Sequence, residues 1–257
     1  MSVYHALARP FHRLKPALRR VPGIVPLARG LRYCLDGRYR SEWHLRRAGA
    51  PDLFQITGYT AADRYPMLFA GLARALEGRP APRILSFGCS SGEEIESLRA
   101  VLPGASFVGI DINRHSIALA RRRLARSGVR LIHAGRVGTA AGGPFDAIVC
   151  MAVLQRTELN QQRPLQCARL LPFTKFEAAI TEFDHNLKIG GLLLLQHSNF
   201  RFSDTAASAR YEAAEEIPAL RPGTAKYGRD DQLIPEQATE RLLYRKLAEA
   251  GGAAAEP

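Results

Sequence analysis

The stretch ILSFGCSSGEEIESL, residues 84–98, decides how this chain is read. An apolar run ends in two glycines and three small residues, and a helical pattern follows, so a buried strand passes to a helix through a tight loop. Gly88-Cys89-Ser90-Ser91-Gly92 spells G-x-S-x-G, the pattern that exposes a nucleophilic serine on a strained turn. Enzymes built on that turn place several strands ahead of the serine, whereas the first convincing strand here is RILSF at 83–87, which counts against hydrolysis. The dinucleotide pattern G-x-G-x-x-G fails as well, because Ser90 and Glu93 hold its second and third glycine positions. Asp111, 19 residues past Gly92, nonetheless stands where an acid takes ribose hydroxyls at the end of a second strand. A ligand with a ribose and no pyrophosphate fits both facts.

Outward from the loop, strand and helix alternate. A helix over 60–76 carries Met67, Phe69, Leu72 and Leu76 at helical spacing. Ser91 and Glu94 match a capping box for a helix with Ile95, Leu98 and Leu102 on one face. SFVGID is the second strand, followed by a helix over 113–126 that turns Ile117, Ala120 and Leu124 inward and leaves Arg121, Arg122 and Arg123 to solvent. VRLIH and FDAIVCM are strands three and four. FTKFEAAITEFDHNLKIGG is a helix with a glycine turn, and GGLLLLQHS is strand five. RLLYRKL, near Arg241, fits a last strand or a helix. This order predicts a mainly parallel sheet wrapped by helices, with ligands at the carboxyl ends of its strands.

The net charge of +12 is uneven: residues 1–50 hold eleven Lys and Arg against Asp36 and Glu42, a net +9. Such an arm suits RNA, an anionic membrane surface or an acidic protein partner, or stays solvated. Pro10, Pro16, Pro22 and Pro26 interrupt any leader-like apolar block, and no run approaches the roughly 20 apolar residues of a membrane span. Cys34, Cys89, Cys150 and Cys167 lie far apart with no C-x-x-C pair, so neither a metal site nor a disulfide framework is expected, and a soluble, cytoplasmic protein with reduced thiols is.

The blocks ILSFGCSSGEE, FVGIDIN, FDAIVCMAVLQ and LKIGGLLLLQ, in this order across about residues 83–197, resemble the class I S-adenosylmethionine-dependent methyltransferases. Within that superfamily GCSSGEE is similar to the loop of chemotaxis receptor methyltransferases and CMAVLQR to their strand-four block, although no inserted strand pair supplies the small β-subdomain of those enzymes. Ser86 stands where the superfamily usually has an acid and Ser90 where it has its middle glycine, a departure for which Glu93 and Glu94 offer compensation.

The resemblance implies an α/β, doubly wound, Rossmann-like methyltransferase fold with an N-terminal helical extension. The expected division is a basic arm at 1–58, an S-adenosylmethionine-binding domain at 59–250 and a flexible tail at 251–257. The expected cofactor residues are Gly88, Cys89, Ser90, Gly92, Glu93, Asp111 and Ile112, with Cys150 and Met151 beside the methionine half. The segment HAGRVG lacks the Asp that many relatives place near the adenine, and His133 there reads as a strand-end residue. His197, at the end of strand five, is the expected general base for a hydroxyl acceptor, while Arg156, Arg64 and Tyr65 are candidates for binding an acid. No macromolecule-binding module is added to the core, which favours methylation of a small-molecule or lipid-like acceptor. The alternatives are RNA or protein carboxylates as acceptors, or a partner protein that binds the cofactor without turnover; the oligomeric state is left open.

Overall fold

The computed structural model describes residues 23–249 except 57, 59, 62 and 237. The first prolines of the arm and the tail at 251–257 lie outside the described residues. Seven strands form one sheet, β1 (Arg83–Phe87), β2 (Ser106–Asp111), β3 (Arg130–His133), β4 (Phe145–Met151), β5 (Leu187–Gln196), β6 (Tyr211–Ala213) and β7 (Leu243–Lys246), in the order β3-β2-β1-β4-β5-β7-β6. The first five run parallel, and β7 inserts antiparallel between β5 and β6. The order reverses between β1 and β4, and a crevice opens at the carboxyl ends of the strands at such a switch point.

The strands read as near-continuous apolar runs because both faces are covered. Successive side chains alternate across the sheet. Leu85, Phe87, Ile148, Leu193 and Leu195 pack with Phe176, Ile180 and Phe183 of α7 (Phe173–His185), which follows the short α6 (Thr157–Gln162). Ile84, Ala147, Val149, Leu192 and Leu194 pack with Leu68, Phe69 and Leu72 of α3 (Pro66–Ala75) and with Ile95 and Leu98 of α4 (Glu93–Val101). The doubly wound reading therefore holds.

Several boundaries differ from the sequence expectation, each for a local reason. The helix expected from residue 60 starts only at Pro66, whose fixed backbone suits the first helical position, and Met67 points to solvent at 76% exposure. Helix α4 begins behind Gly92 in a left-handed conformation and without a side-chain cap, so the Ser91–Glu94 capping box does not form. Instead the Ser91 hydroxyl donates to Glu93 and the Ser86 hydroxyl to Glu94. Helix α5 (Arg114–Arg123) is shorter than 113–126, with Asn113 as its cap, and Arg123 is not simply solvated: it pairs with Glu93 and Glu96 at 2.8 Å. The glycine turn expected before strand five lies inside β5, where the register against β4 shifts between Phe145 and Ala147 and Gly190 takes a positive φ of 73°. RLLYRKL supplies β7, whose buried Lys246 donates to the Asp184 and Leu187 carbonyls at the end of α7.

Ahead of the sheet, α1 (Ile24–Leu35) and α2 (Gly37–Ala48) form a hairpin hinged at Asp36, whose carboxylate accepts the Tyr39 amide. Helix α2 is fastened to α5 by a 2.6 Å bond from the Ser41 hydroxyl to the Asn113 side chain. The chain then brings Leu53 and Phe54, both buried, over the carboxyl ends of the strands, where Arg156 and Lys175 donate to the Leu53 carbonyl.

Candidate functional site

Three non-glycine residues with positive φ follow three parallel strands: Ser90 (48°) after β1, Ala152 (61°) after β4 and His197 (54°) after β5. Such strain persists where surrounding structure over-determines it and concentrates at ligand sites. Beside the first two of these turns opens a cleft of about 940 Å³, mouth included.

Its floor is the glycine loop. The Gly88 and Cys89 amides both donate to the Ile110 carbonyl, tying the loop to β2. Asp111 completes the tie: one carboxylate oxygen accepts the Ser90 amide at 2.9 Å and the other the Asn113 amide at 2.7 Å. Burial raises its pKa, against the pull of the Asn113 and Ser90 amides and of His133. Each oxygen keeps a second lone pair for a donor in the cleft. Phe87, Ile112 and Ala134 give this end flat apolar walls.

A second carboxyl faces the same space from α4. Glu94 accepts the Ser86 hydroxyl at 2.7 Å, and burial pushes its pKa up to about 8 despite that bond and the nearby charge of Arg64. Ser86 at the end of β1 thus meets a carboxyl that comes from the following helix. Facing it are Arg64, whose guanidinium lies 5.0 Å over the Tyr65 ring, and Tyr65, whose buried hydroxyl has no hydrogen-bond partner among the described residues. Leu45 of α2 and Asp52, Phe54, Gln55 and Ile56 of the following segment close the top.

Of the residues expected from sequence, Gly88, Cys89, Ser90, Asp111, Ile112 and Met151 line the cleft, while Gly92, Glu93, Cys150 and His197 do not. Gly92 starts α4, where a side chain would meet Leu124. Glu93 is one residue, hence about 100° of helix, away from Glu94 and turns to Arg123 on the surface. Cys150 points to the opposite face of the sheet from Met151 and is buried in the core, which raises its thiol pKa well above the ordinary value. His197 lies behind Tyr65, ring centres 6.0 Å apart, and burial lowers its pKa, with Arg64 and Lys226 adding to the effect. Arg156 is spent on the Leu53 carbonyl rather than on the cleft. Sequence reasoning placed no site residue in the segment 45–56; its only signal was the apolar pair Leu53-Phe54 in a polar stretch.

Residues 85–193 match a family model described as a methyltransferase domain. A tRNA (guanine-N(7)-)-methyltransferase of Chloroflexus aggregans is 46% identical over 54 residues, 21% of this chain and 23% of that protein. A ubiquinone biosynthesis O-methyltransferase of Aromatoleum aromaticum is 33% identical over 98 residues, 37% of this chain and 41% of that protein. The matches thus span under half the length of these curated relatives. A solved S-adenosylmethionine-dependent methyltransferase of Geobacter sulfurreducens, in complex with S-adenosyl-L-homocysteine, overlaps at a TM-score of 0.36 and 20% identity, over 50% of this chain and 47% of that one. The residues matched by the methyltransferase-domain model run from β1 to β5 and include the glycine loop and Asp111, so the family resemblance and the cleft fall on the same part of the chain.

Proposed function

We propose that this protein transfers the methyl group of S-adenosylmethionine to a small-molecule or lipid-like acceptor. The observation that carries the reading is a pair of carboxyl groups, Asp111 and Glu94, set on one apolar cleft at the switch point of the sheet. When bound, the cofactor supplies a methyl group already activated on a sulfonium, so the protein's task is alignment and exclusion of water. Asp111 accepts ribose hydroxyls on its unused lone pairs, and Ile112 and Ala134 offer the base an apolar face. Glu94 receives the ammonium. Gly88 and Met151 border the methyl-bearing end.

Arg64 and the partnerless Tyr65 hydroxyl orient the acceptor. His197, kept neutral near pH 7 by burial, takes the proton from a hydroxyl acceptor that reaches beside Tyr65. The match to ubiquinone biosynthesis O-methyltransferases supports a hydroxyl on a small molecule. A second reading, methylation of RNA or protein carboxylates, draws on the tRNA methyltransferase match. No described helix is long and apolar enough to cross a membrane.

The test is incubation of the protein with methyl-labelled cofactor and cell extract, followed by lipid extraction, nuclease and protease. Label in the lipid or small-molecule fraction is the expected result. Nuclease- or protease-sensitive label moves the acceptor to the second reading. Cofactor binding with no labelled fraction makes the chain a non-catalytic partner.

A further inference from the structure

Helix α1 presents Leu27, Leu31 and Leu35 at intervals of four, a single stripe, at 72%, 55% and 45% exposure. Tyr33, on the far side of the helix from Leu31, packs edge-on to Trp43 of α2 at 5.2 Å, so the stripe turns away from the hairpin's own partner. The two helices carry Arg29, Arg32, Arg38, Arg40, Arg46 and Arg47 against Asp36 and Glu42, a net +4. The same hairpin roofs the cleft, since Leu45 of α2 lines it.

We propose that α1 and α2 form an interfacial anchor for an anionic lipid bilayer: the leucine stripe enters the acyl boundary, the arginines meet the headgroup phosphates, and the cleft mouth is held at the membrane surface. An exposed apolar stripe with arginines on the flanking and opposite faces of the same helix, Arg32 and Arg29, is the pattern of a helix that lies in the interface plane. RNA would engage the arginines and leave three leucines in water. A second copy would set like charge against like charge. The segment before α1 adds Arg9, Arg13, Lys15, Arg19 and Arg20 and no carboxylate, a further attraction to anionic lipid. The inference deepens the lipid-like acceptor reading, but its test requires neither cofactor nor turnover.

Trp43 is the only tryptophan of the chain and reports on the hairpin directly. The full-length protein is titrated with vesicles of phosphatidylcholine plus phosphatidylglycerol and with phosphatidylcholine alone, following tryptophan emission and co-sedimentation. Binding to the anionic vesicles alone is expected, with a change in emission and a loss of affinity as salt rises from about 50 to 200 mM. The double variant Leu27→Ser/Leu31→Ser loses at least about tenfold in vesicle affinity, because two apolar side chains no longer leave water. Its circular dichroism and its S-adenosylmethionine affinity stay at the parent values. Equal binding by parent and variant overturns the proposal, as does equal binding to neutral vesicles. So does a dimer in light scattering that the two serines dissociate, or tRNA that binds parent and variant alike while vesicles bind neither. Vesicle binding by a protein that takes no cofactor leaves the anchor standing and removes the methyltransferase reading instead.

Discussion

Removing the Asp111 carboxylate unties the Ser90 and Asn113 amides and, on the proposed reading, takes away the acceptor for the ribose hydroxyls. Asp111→Asn keeps the size and forfeits the charge, and charge-assisted bonds are worth about 1.5 to 3 kcal/mol each. Affinity for S-adenosylmethionine is expected to fall at least tenfold by calorimetry; an unchanged value would make Asp111 a brace for the loop alone. Glu94 yields a different readout. Its pKa of about 8 leaves it mostly protonated at pH 7 in the free protein, and an ammonium beside it favours the ionised form. Cofactor binding at pH 7 is therefore expected to release up to about one proton, measurable by calorimetry in buffers of different ionisation enthalpy, and Glu94→Gln abolishes that release. That the loop and Asp111 meet at the carboxyl ends of β1 and β2 was legible in the sequence, because each follows directly from a buried run. The choice between Glu93 and Glu94 was not, because both fit the first turn of a helix whose rotation is set by packing of Ile95 and Leu98.

At the scale of elements, the α5 cap joins two parts of the molecule. The Asn113 side chain accepts the His115 and Ser116 amides and, at the same oxygen, the Ser41 hydroxyl of α2. Asn113→Ala removes an N-cap, at a cost of about 0.5 to 2 kcal/mol. Melting temperature is expected to drop by roughly 2–4 °C for each kcal/mol lost, with faster amide exchange in α2. A normal melt with normal exchange would show that α2 is held by other contacts. Strands β1, β2 and β4 were readable from their buried runs, since elements covered on both faces need little context. The start of β5 was not: Gly190 and Gly191 read as a turn, and only pairing with β4 draws the residues before them into the sheet.

The whole molecule carries a pH signature. Glu94 holds its proton up to about 8 when folded and releases it near 4.5 when unfolded, so its contribution to stability falls as pH rises through that window. His197, with a lowered pKa, acts oppositely but only below its ordinary 6.5, where the unfolded chain binds the proton that the folded one lacks. Lys175, lowered to about 8 by burial, makes stability rise again between about 8 and its ordinary 10.5. Cofactor-free protein is therefore expected to melt at progressively lower temperature from pH 6.5 to 8, a slope that calorimetric scans should find reduced in Glu94→Gln. A slope that the substitution leaves untouched would place the titrating group elsewhere.

By itself the sequence determined the fold class, and it placed the glycine loop and Asp111 at strand ends, because alternating buried runs and a glycine loop act over a few residues. Which carboxyl enters the cleft, which of Cys150 and Met151 faces it, and that His197 stands behind Tyr65 were decided by helix rotation, strand facing and the turn after β5. The roof was decided by tertiary structure alone: residues 45–56 reach the cleft through contacts far apart in the chain, from Ser41 to Asn113 and from Leu53 to Arg156 and Lys175. Such contacts leave no periodic mark, since each depends on a distant partner that local spacing does not encode.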